Sequence, residues 1–360
     1  MAQNKSNMKK VIVGMSGGVD SAVAAFLLKK AGYDVTGVTL RIWQSDTGEE
    51  SRCCEMDDAR RISNKIGIPY YPLNCADIFK DKVIEPFINE YLCGRTPNPC
   101  IECNRYVKWE RMLYYAKIFH ADYVATGHYA HVIRLENGRY TVKTALHAEK
   151  DQTYMLYKLT QKQLAHTLMP LGDMSKEEVR KIAADEGLFV AGKPDSQEIC
   201  FVTDGNYADY IKEHAERNIP GEGNFVDEDG NILGRHKGII NYTVGQRKGL
   251  GIALGHPVYV KTINAAANEV VLAGEESSTL SEIKCRDLNF LSIEPPKVSD
   301  EFECRVKVRY HHKPQKATVT METSDVARVS FYVPVKLCAP GQSAVFYDEN
   351  ACIIGGGIII

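Results

Sequence analysis

The stretch that most limits how this chain can fold is Val11 to Ala31, VIVGMSGGVDSAVAAFLLKKA. Val11-Ile12-Val13 is a short β-branched run that reads as a buried strand, and Val23, Phe26 and Leu27 recur at helical spacing between Asp20 and Lys30. Gly14, Met15, Ser16, Gly17, Gly18, Val19, Asp20 and Ser21 lie between them. A strand that turns through glycines into a helix aims free backbone N–H groups, and the positive end of the helix dipole, at one point in space. That point suits a phosphate. The two commonest phosphate loops do not fit: no Lys follows the glycines as the Walker A loop requires, and the spacing from Gly14 to Gly18 is not G-x-G-x-x-G. Ser16 and Ser21 are placed to donate to phosphate oxygens, and Asp20 to hold Mg²⁺ on a pyrophosphate.

The alternation continues beyond the turn. Val35 to Ile42 and Tyr70 to Leu73 read as strands, Asp57 to Ile66 as a helix, Ile84 to Leu92 as a helical stripe with Pro86 marking a start or kink, and Tyr106 to Phe119 as a helix before a strand at Tyr123 to Thr126. This argues for a parallel sheet with helices on both faces and ligands at the carboxyl ends of its strands, where Gly14, Leu40, Gly127 and His128 fall. Asn137-Gly138 closes a hairpin between Val132 and Val142, and Ser175 to Glu178 is a capping box opening a helix that Gly187 ends. From about Asn206 the period becomes alternating, with a hairpin at Asp229-Gly230 and strands at Val258 to Ile263 and Val270 to Leu272. Phe302 to Tyr310 alternates apolar with charged residues, and the runs at Ala317, Val326, Ala344 and Cys352 complete what reads as a small barrel. Three domains are expected: residues 1–205, an α/β catalytic domain; 206–280, a small mainly-β domain; and 281–360, a β-barrel.

Composition narrows the setting. A net charge of −2 gives no global attraction to nucleic acid, so any such binding must rest on local basic patches. Two segments have them: Asn231 to Asn268 carries Arg235, Lys237, Arg247, Lys248 and Lys261 without an acid, and Cys304 to Met321 carries Arg305, Lys307, Arg309, Lys313 and Lys316, again without one. No apolar run reaches membrane-spanning length and Met1 to Lys10 is polar, which predicts a cytoplasmic protein. Eleven cysteines in a reducing compartment then point to thiol chemistry or metal binding rather than to a disulfide framework. Cys100 and Cys103 stand in a proline-stiffened loop, RTPNPCIECN, and Cys200 in DSQEICF. Cys75, Cys93, Cys285, Cys304, Cys338 and Cys352 read as core or surface residues, and the adjacent Cys53-Cys54 pair has no assigned role.

SGGVDS resembles the signature of the PP-loop ATP pyrophosphatases, which split ATP into AMP and pyrophosphate to adenylate a substrate oxygen. With GRTPNP-x-x-x-CN, ATGHY, KDQTYML, DS-x-x-ICF, TVGQRKGLGI and PGQSAVFY, in that order, the chain is similar to the tRNA-specific 2-thiouridylases, sulfurtransferases that replace O2 of the wobble uridine by sulfur. The PP-loop alone would also admit argininosuccinate, GMP, NAD or tRNA-lysidine synthetases. The resemblance implies ATP and Mg²⁺, a tRNA substrate, and a sulfur donor protein such as a cysteine desulfurase or persulfide carrier. It implies that Cys200 carries a persulfide and that Cys103 is the nucleophile, with a Cys103–Cys200 disulfide formed in turnover. It also places Asn98, Pro99 and Cys100 at the target base, Lys150, Asp151, Gln152, Arg309 and Tyr310 on the tRNA, and His128 and Gln342 among its contacts.

The family pattern often has Asp where this chain has Cys100, so an acid/base role for that carboxylate does not carry over. Cys100, Cys103 and Cys200 leave a second version open, three thiolates on a [4Fe–4S] cluster with one iron left to bind sulfide. Structural zinc has less support, because a lone C-x-x-C lacks the usual second pair. Two further alternatives are a 4-thiouridine synthase, whose family generally carries an RNA-binding module ahead of its PP-loop, and a nonenzymatic RNA-binding or iron–sulfur module.

Overall fold

A computed structural model of the chain describes residues 8–42, 55–194, 199–202 and 206–360. They form two compact units: one from the described parts of Met1–Val83, Cys100–Thr203 and Asn350–Ile353, the other from those of Ile84–Pro99, Asp204–Glu349 and Ile354–Ile360. Ile84–Pro99, counted with the N-terminal domain on sequence, thus belongs to the second unit.

In the first unit the strands are β1 (Lys10–Gly14), β2 (Asp34–Arg41), β3 (Tyr70–Asn74), β4 (Tyr123–Ala125), the hairpin pair β5 (Ala130–Arg134) and β6 (Tyr140–Thr144), and β7 (Thr167–Leu168). β3-β2-β1-β4-β7 is one parallel sheet. Val11 and Val13 of β1 enter a core with Val19, Val23 and Leu28 of the helix Val19–Lys30. Gly14 faces the other way, where an added Cβ would lie 3.3 Å from Met112 Sδ of the helix Glu110–Ile118. Helices therefore cover both faces, as a parallel sheet requires. The hairpin pairs Val132 with Val142, and the capping box forms with Glu178 N–H donating to Ser175 Oγ at 3.1 Å and Ser175 N–H to Glu178 Oε2 at 2.7 Å.

One expected helix differs. Cys103–Trp109 is a wide π-type turn that runs into Glu110–Ile118, and a second π-type turn covers Lys80–Ile84. Such turns shift the inward face of a helix, often at functional sites. Here they turn Cys103, Asn104, Val107 and Trp109 inward.

The second unit holds β8 (Gly223–Val226), β9 (Ile232–His236), β10 (Tyr259–Asn264) and β11 (Glu269–Ala273), a sheet in the order β10-β11-β8-β9. β12 (Thr279–Phe290), β13 (Glu301–Lys307), β14 (Gln315–Met321), β15 (Val326–Lys336), β16 (Ser343–Tyr347) and β17 (Ile353–Ile359) close a barrel in the order β12-β15-β14-β13-β16-β17. Val306, Val319, Val329 and Phe346 fill it. The strand expected to reach Tyr310 ends at Lys307, which leaves Arg309 and Tyr310 in the turn that follows. Burial pushes the Cys75 and Cys338 thiols up to about 11 and that of Cys304 up to about 12, so these thiols stay protonated and inert at neutral pH. Among the described residues no helix is long and apolar enough to cross a membrane.

Candidate nucleotide and thiol site

The glycine turn is fixed from several directions. The Met15 peptide is held by β2, its N–H donating to Val38 O at 2.7 Å and its carbonyl accepting from Thr39 Oγ1 at 2.6 Å. Ser16 N–H donates to Ser21 Oγ at 3.2 Å, and that hydroxyl donates in turn to Gly18 O at 3.1 Å. Gly18 occupies the N-cap of Val19–Lys30 and brings no side-chain cap, which keeps the first helical N–H groups aimed at the mouth of the turn. Gly17 has φ +80°, and a Cβ there would lie 2.8 Å from Glu55. Gly127, two residues past β4, comes closer still: its Cβ would lie 2.7 Å from the Asp20 carbonyl carbon and 2.8 Å from Ser21 N. Only glycine lets the end of β4 rest on the helix start. Leu40 is half-buried near the end of β2, so the predicted nucleotide residues collect at the carboxyl ends of neighbouring strands.

Asp20 sits at the centre of a polar cluster. Lys176 Nζ lies 2.7 and 2.9 Å from its two carboxylate oxygens, and Tyr129 OH donates to Oδ1 at 2.7 Å. Lys176 is only 6% exposed. A second ammonium, Lys193 Nζ, lies 3.4 Å from the Gly17 carbonyl and pairs with Glu55 and, at 2.9 Å, with Asp58. Burial pulls its pKa down, but the hydrogen bonds to Glu55 and Asp58 outweigh this and raise it, so Lys193 stays charged. Sequence reasoning passed over both lysines, which lie 156 and 176 positions from their partners in the turn. A carboxylate has about four acceptor sites, so Asp20 also fits as an oxygen ligand for Mg²⁺, which would add positive charge at the phosphates.

The residues around the turn are braced by the stretch that contains KDQTYML. Tyr129 N–H donates to Gln152 Oε1 at 3.0 Å, and Gln152 N–H donates back to Tyr129 O at 3.1 Å. Asp151, expected on the tRNA, is buried: its carboxylate accepts from Thr153 Oγ1 at 2.8 Å and from Ala145 N–H at 3.3 Å, which organises its loop. Lys150 is half-buried beside it. His128 bonds Thr126 Oγ1 through Nδ1 at 2.8 Å and tilts over Trp109. Burial, and then the nearby Lys108 charge, holds it well below the usual histidine range, so it is neutral at pH 7.

The same stretch braces the thiol segment. Lys158, 3% exposed, pairs with Glu102 at 2.6 Å; Asn104 Nδ2 donates to Met155 O at 3.0 Å; and Gln163 Nε2 donates to Arg105 O at 3.3 Å. Cys103, between these tethers, is 8% exposed. Cys200 is half-buried, and the ring of its neighbour Phe201 meets Phe79 edge-on at 5.6 Å. Cys100 is exposed. Among the described residues no three His, Cys, Asp or Glu side chains gather as a metal site. The Asp195 to Glu198 part of DSQEICF and the Cys53-Cys54 pair lie outside the described residues.

In the second unit three of the quoted motifs meet. Thr96 N–H donates to Pro340 O at 2.7 Å, Gln342 Nε2 donates to Thr96 O at 2.9 Å, and Thr96 Oγ1 lies 3.4 Å from Thr243 Oγ1. Asn98 and Pro99 follow this anchored turn, half-buried and buried. Gln342, expected to contact tRNA, thus has a second task in holding the loop. Arg309 donates to Leu337 O and its guanidinium lies where a Gly245 side chain would be, while Tyr310 follows it. The basic segments are less bare than in sequence: Lys261 pairs with Glu228 and Arg235 lies 3.8 Å from Glu222.

A parallel sheet whose first strand turns through glycines into a helix, with hydroxyls and Asp20 at the mouth, defines the PP-loop class of nucleotide-binding domain. Residues 9–204 match a family model described as tRNA methyl transferase HUP domain, 208–274 a tRNA methyl transferase PRC-barrel domain and 280–359 an aminomethyltransferase beta-barrel domain. The proteins named tRNA-specific 2-thiouridylase MnmA from Lachnoclostridium phytofermentans and Clostridioides difficile are 52% and 50% identical, covering 98% of this chain in each case and 100% and 98% of those proteins. The chain belongs to the tRNA-specific 2-thiouridylase MnmA family. The domain models carry a methyl-transfer name and the full-length relatives a thiolation name; the relatives are the more specific match, since each spans nearly the whole chain at about half identity. A solved structure of the U34-tRNA thiolase NcsA from Methanococcus maripaludis aligns at 18% identity over 59% of this chain and 68% of that one, with a TM-score of 0.36.

Proposed function

We propose that this chain is an ATP-dependent tRNA-uridine 2-sulfurtransferase acting on the wobble uridine, in the cytoplasm, with sulfur delivered by a donor protein. A carbonyl oxygen is a poor leaving group. Attack of uracil O2 on the α-phosphorus of ATP forms an O–P bond and expels pyrophosphate, after which AMP, rather than oxide, departs from C2. Mg²⁺ held by Asp20 would offset phosphate charge during that step. Cys200, charged as a persulfide by the donor, supplies sulfur at the oxidation level of S⁰. Attack by the Cys103 thiolate on its Sγ forms the Cys103–Cys200 disulfide and releases sulfide to C2, and an external dithiol then restores both thiols. The backbone around Cys103 is held through its neighbours, Glu102 to Lys158, Asn104 to Met155 and Arg105 to Gln163, while half-buried Cys200 remains reachable by a donor.

A wobble base is reached by splaying it from the anticodon loop. Asn98, Pro99 and Cys100 are assigned to that base, and Lys150, Asp151, Gln152, Arg309, Tyr310, His128 and Gln342 to the surrounding contacts, either directly or by holding the loops that make them. The observation that carries the reading is identity of about one half to 2-thiouridylases along nearly the entire chain. Mass spectrometry of tRNA nucleosides from a strain lacking the gene tests it. Loss of 2-thiouridine, restored by the wild-type chain and not by Cys103→Ser, is expected; loss of 4-thiouridine alone would move the activity to a different base position.

A further inference from the structure

We infer that Lys158 is a positioning residue for the sulfur-transfer step: through its ion pair with Glu102 it sets where Cys103 stands when it attacks the persulfide. This rests on the sulfur-transfer reading above. In that step the S–S bond between Cys103 and Cys200 forms, the bond from Cys200 Sγ to its outer sulfur breaks, and sulfide leaves with the electron pair. Attack at sulfur needs the incoming thiolate behind the bond that breaks, so a displacement of about 1 Å slows it about a hundredfold. Cys103 must be held to that tolerance.

The local backbone does not supply that hold by itself. Glu102 closes the four-residue helix Pro99–Glu102 and Cys103 opens the π-type turn Cys103–Trp109, so the nucleophile stands where one hydrogen-bond pattern gives way to another. Lys158 ties this junction from outside, with Nζ 2.6 Å from Glu102 Oε1. Its own segment is rigid, since Tyr154, Leu156, Tyr157 and Leu159 are each no more than 1% exposed. The Lys158 side chain is 3% exposed and that of Glu102 24%, so the ammonium is the deeper member of the pair. For stability alone, apolar side chains of like volume would serve as well or better, whereas a charge-assisted bond fixes distance and direction. The two neutral ties from the same stretch, Asn104 to Met155 O and Gln163 to Arg105 O, meet the chain after Cys103; the ion pair meets it before. Farther back, Gln152 and Tyr129 exchange hydrogen bonds, and the Tyr129 hydroxyl donates to Asp20 at the nucleotide turn. One stretch thus registers the nucleophile against the site where the uridine is activated.

Single-turnover transfer from the Cys200-persulfide protein, with pyrophosphate and 2-thiouridine followed together, tests the assignment in variants of the full chain. Lys158→Met is expected to form 2-thiouridine about tenfold to a hundredfold more slowly than wild type, with pyrophosphate release and the affinities for tRNA and MgATP within about twofold. Lys158→Arg, which keeps the charge, should recover most of the rate. Lys158→Met/Glu102→Met separates position from stability. Removing both charges leaves no unpaired ion in the interior, so its urea midpoint should match or exceed that of wild type while 2-thiouridine formation stays slow. A double variant that regains rate together with stability overturns the proposal, and one that regains neither assigns the pair to the scaffold and overturns it too. A wild-type rate in Lys158→Met does the same, as does slowing of pyrophosphate release in step with 2-thiouridine, which would move the lysine to adenylation. Should Lys158→Met fail to fold, the double variant still decides. Unimpaired thiolation by Cys103→Ser would instead sink the sulfur-transfer reading itself.

Discussion

Around the glycine turn, side chains from distant parts of the sequence converge on single atoms: Tyr129, Lys176 and Asp20 share one carboxylate, and Gly127 lets one backbone lie on another. The thiol segment from Cys100 to Trp109 is held differently, by three tethers from the 155–163 stretch, one to Glu102 and two to the wide π-type turn that follows it, with Cys100 exposed and Cys200 half-buried. The first arrangement suits a ligand of fixed shape that must be charged and oriented before chemistry begins. The second suits thiols that must meet a persulfide donor, then a base, then a reductant, in turn. One region is built for a single geometry and the other for access.

The largest effects should separate these regions. Cys103→Ser and Cys200→Ser are each expected to cut 2-thiouridine formation to less than about a thousandth of wild type while MgATP binding is kept, because a hydroxyl can neither carry a persulfide nor attack one. Loss of MgATP binding in either variant would mean that the two regions are not separable. Gly127→Ala should do the reverse. Its Cβ would sit 2.7 Å from backbone, and overpacking of this kind costs about 1–3 kcal/mol. The expected result is a lower urea midpoint and weaker MgATP binding, with the Cys103 alkylation rate little changed.

A smaller effect concerns His128. Its folded pKa is depressed by burial below the ordinary 6.5, so protonation favours the unfolded chain. The stability this histidine contributes is present above about pH 6.5 and is lost as pH falls through that value toward the folded pKa, at up to about 1.4 kcal/mol per pH unit. Urea midpoints measured from pH 7.5 to 5 should therefore fall more steeply for wild type than for His128→Gln; parallel curves would show that His128 is not held neutral. The smallest effect is expected for Arg309→Ala. Loss of one phosphate contact should reduce the salt slope of tRNA binding by about one. Because Arg309 also ties its turn to Leu337, a modest loss of stability in the second unit should accompany it, with MgATP binding unchanged.

What could be read from sequence follows the range of the interactions. The glycine turn, the Val132–Val142 hairpin and the Ser175 capping box are local, and each appears where its residues stand. The long barrel strand β12 was not legible as one element because register shifts at Leu280/Glu282 and Arg286/Asn289, with Asp287 at φ +52°, break its alternation. The glycines of β17 gain meaning only against it: a Cβ on Gly357 would lie 2.7 Å from Leu288. Lys176 and Lys193 were hidden for the same reason, since nothing near them in sequence marks the carboxylates they meet. The π-type turn at Cys103 was hidden too, because its widened spacing looks like ordinary helical period over a few residues. Asp151, polar within a polar motif, gave no sign that its partners would be its own loop.

The account turns on ATP cleavage and sulfur transfer occurring on the same uridine, and a single-turnover assay reaches that point most directly. The Cys200-persulfide protein, MgATP and unmodified tRNA bearing a wobble uridine should yield 2-thiouridine, AMP and pyrophosphate in equal amounts, with Cys103 and Cys200 ending as a disulfide. Thiolation without matching AMP release, or AMP release at full yield from a protein lacking Cys103 together with normal 2-thiouridine, would contradict it.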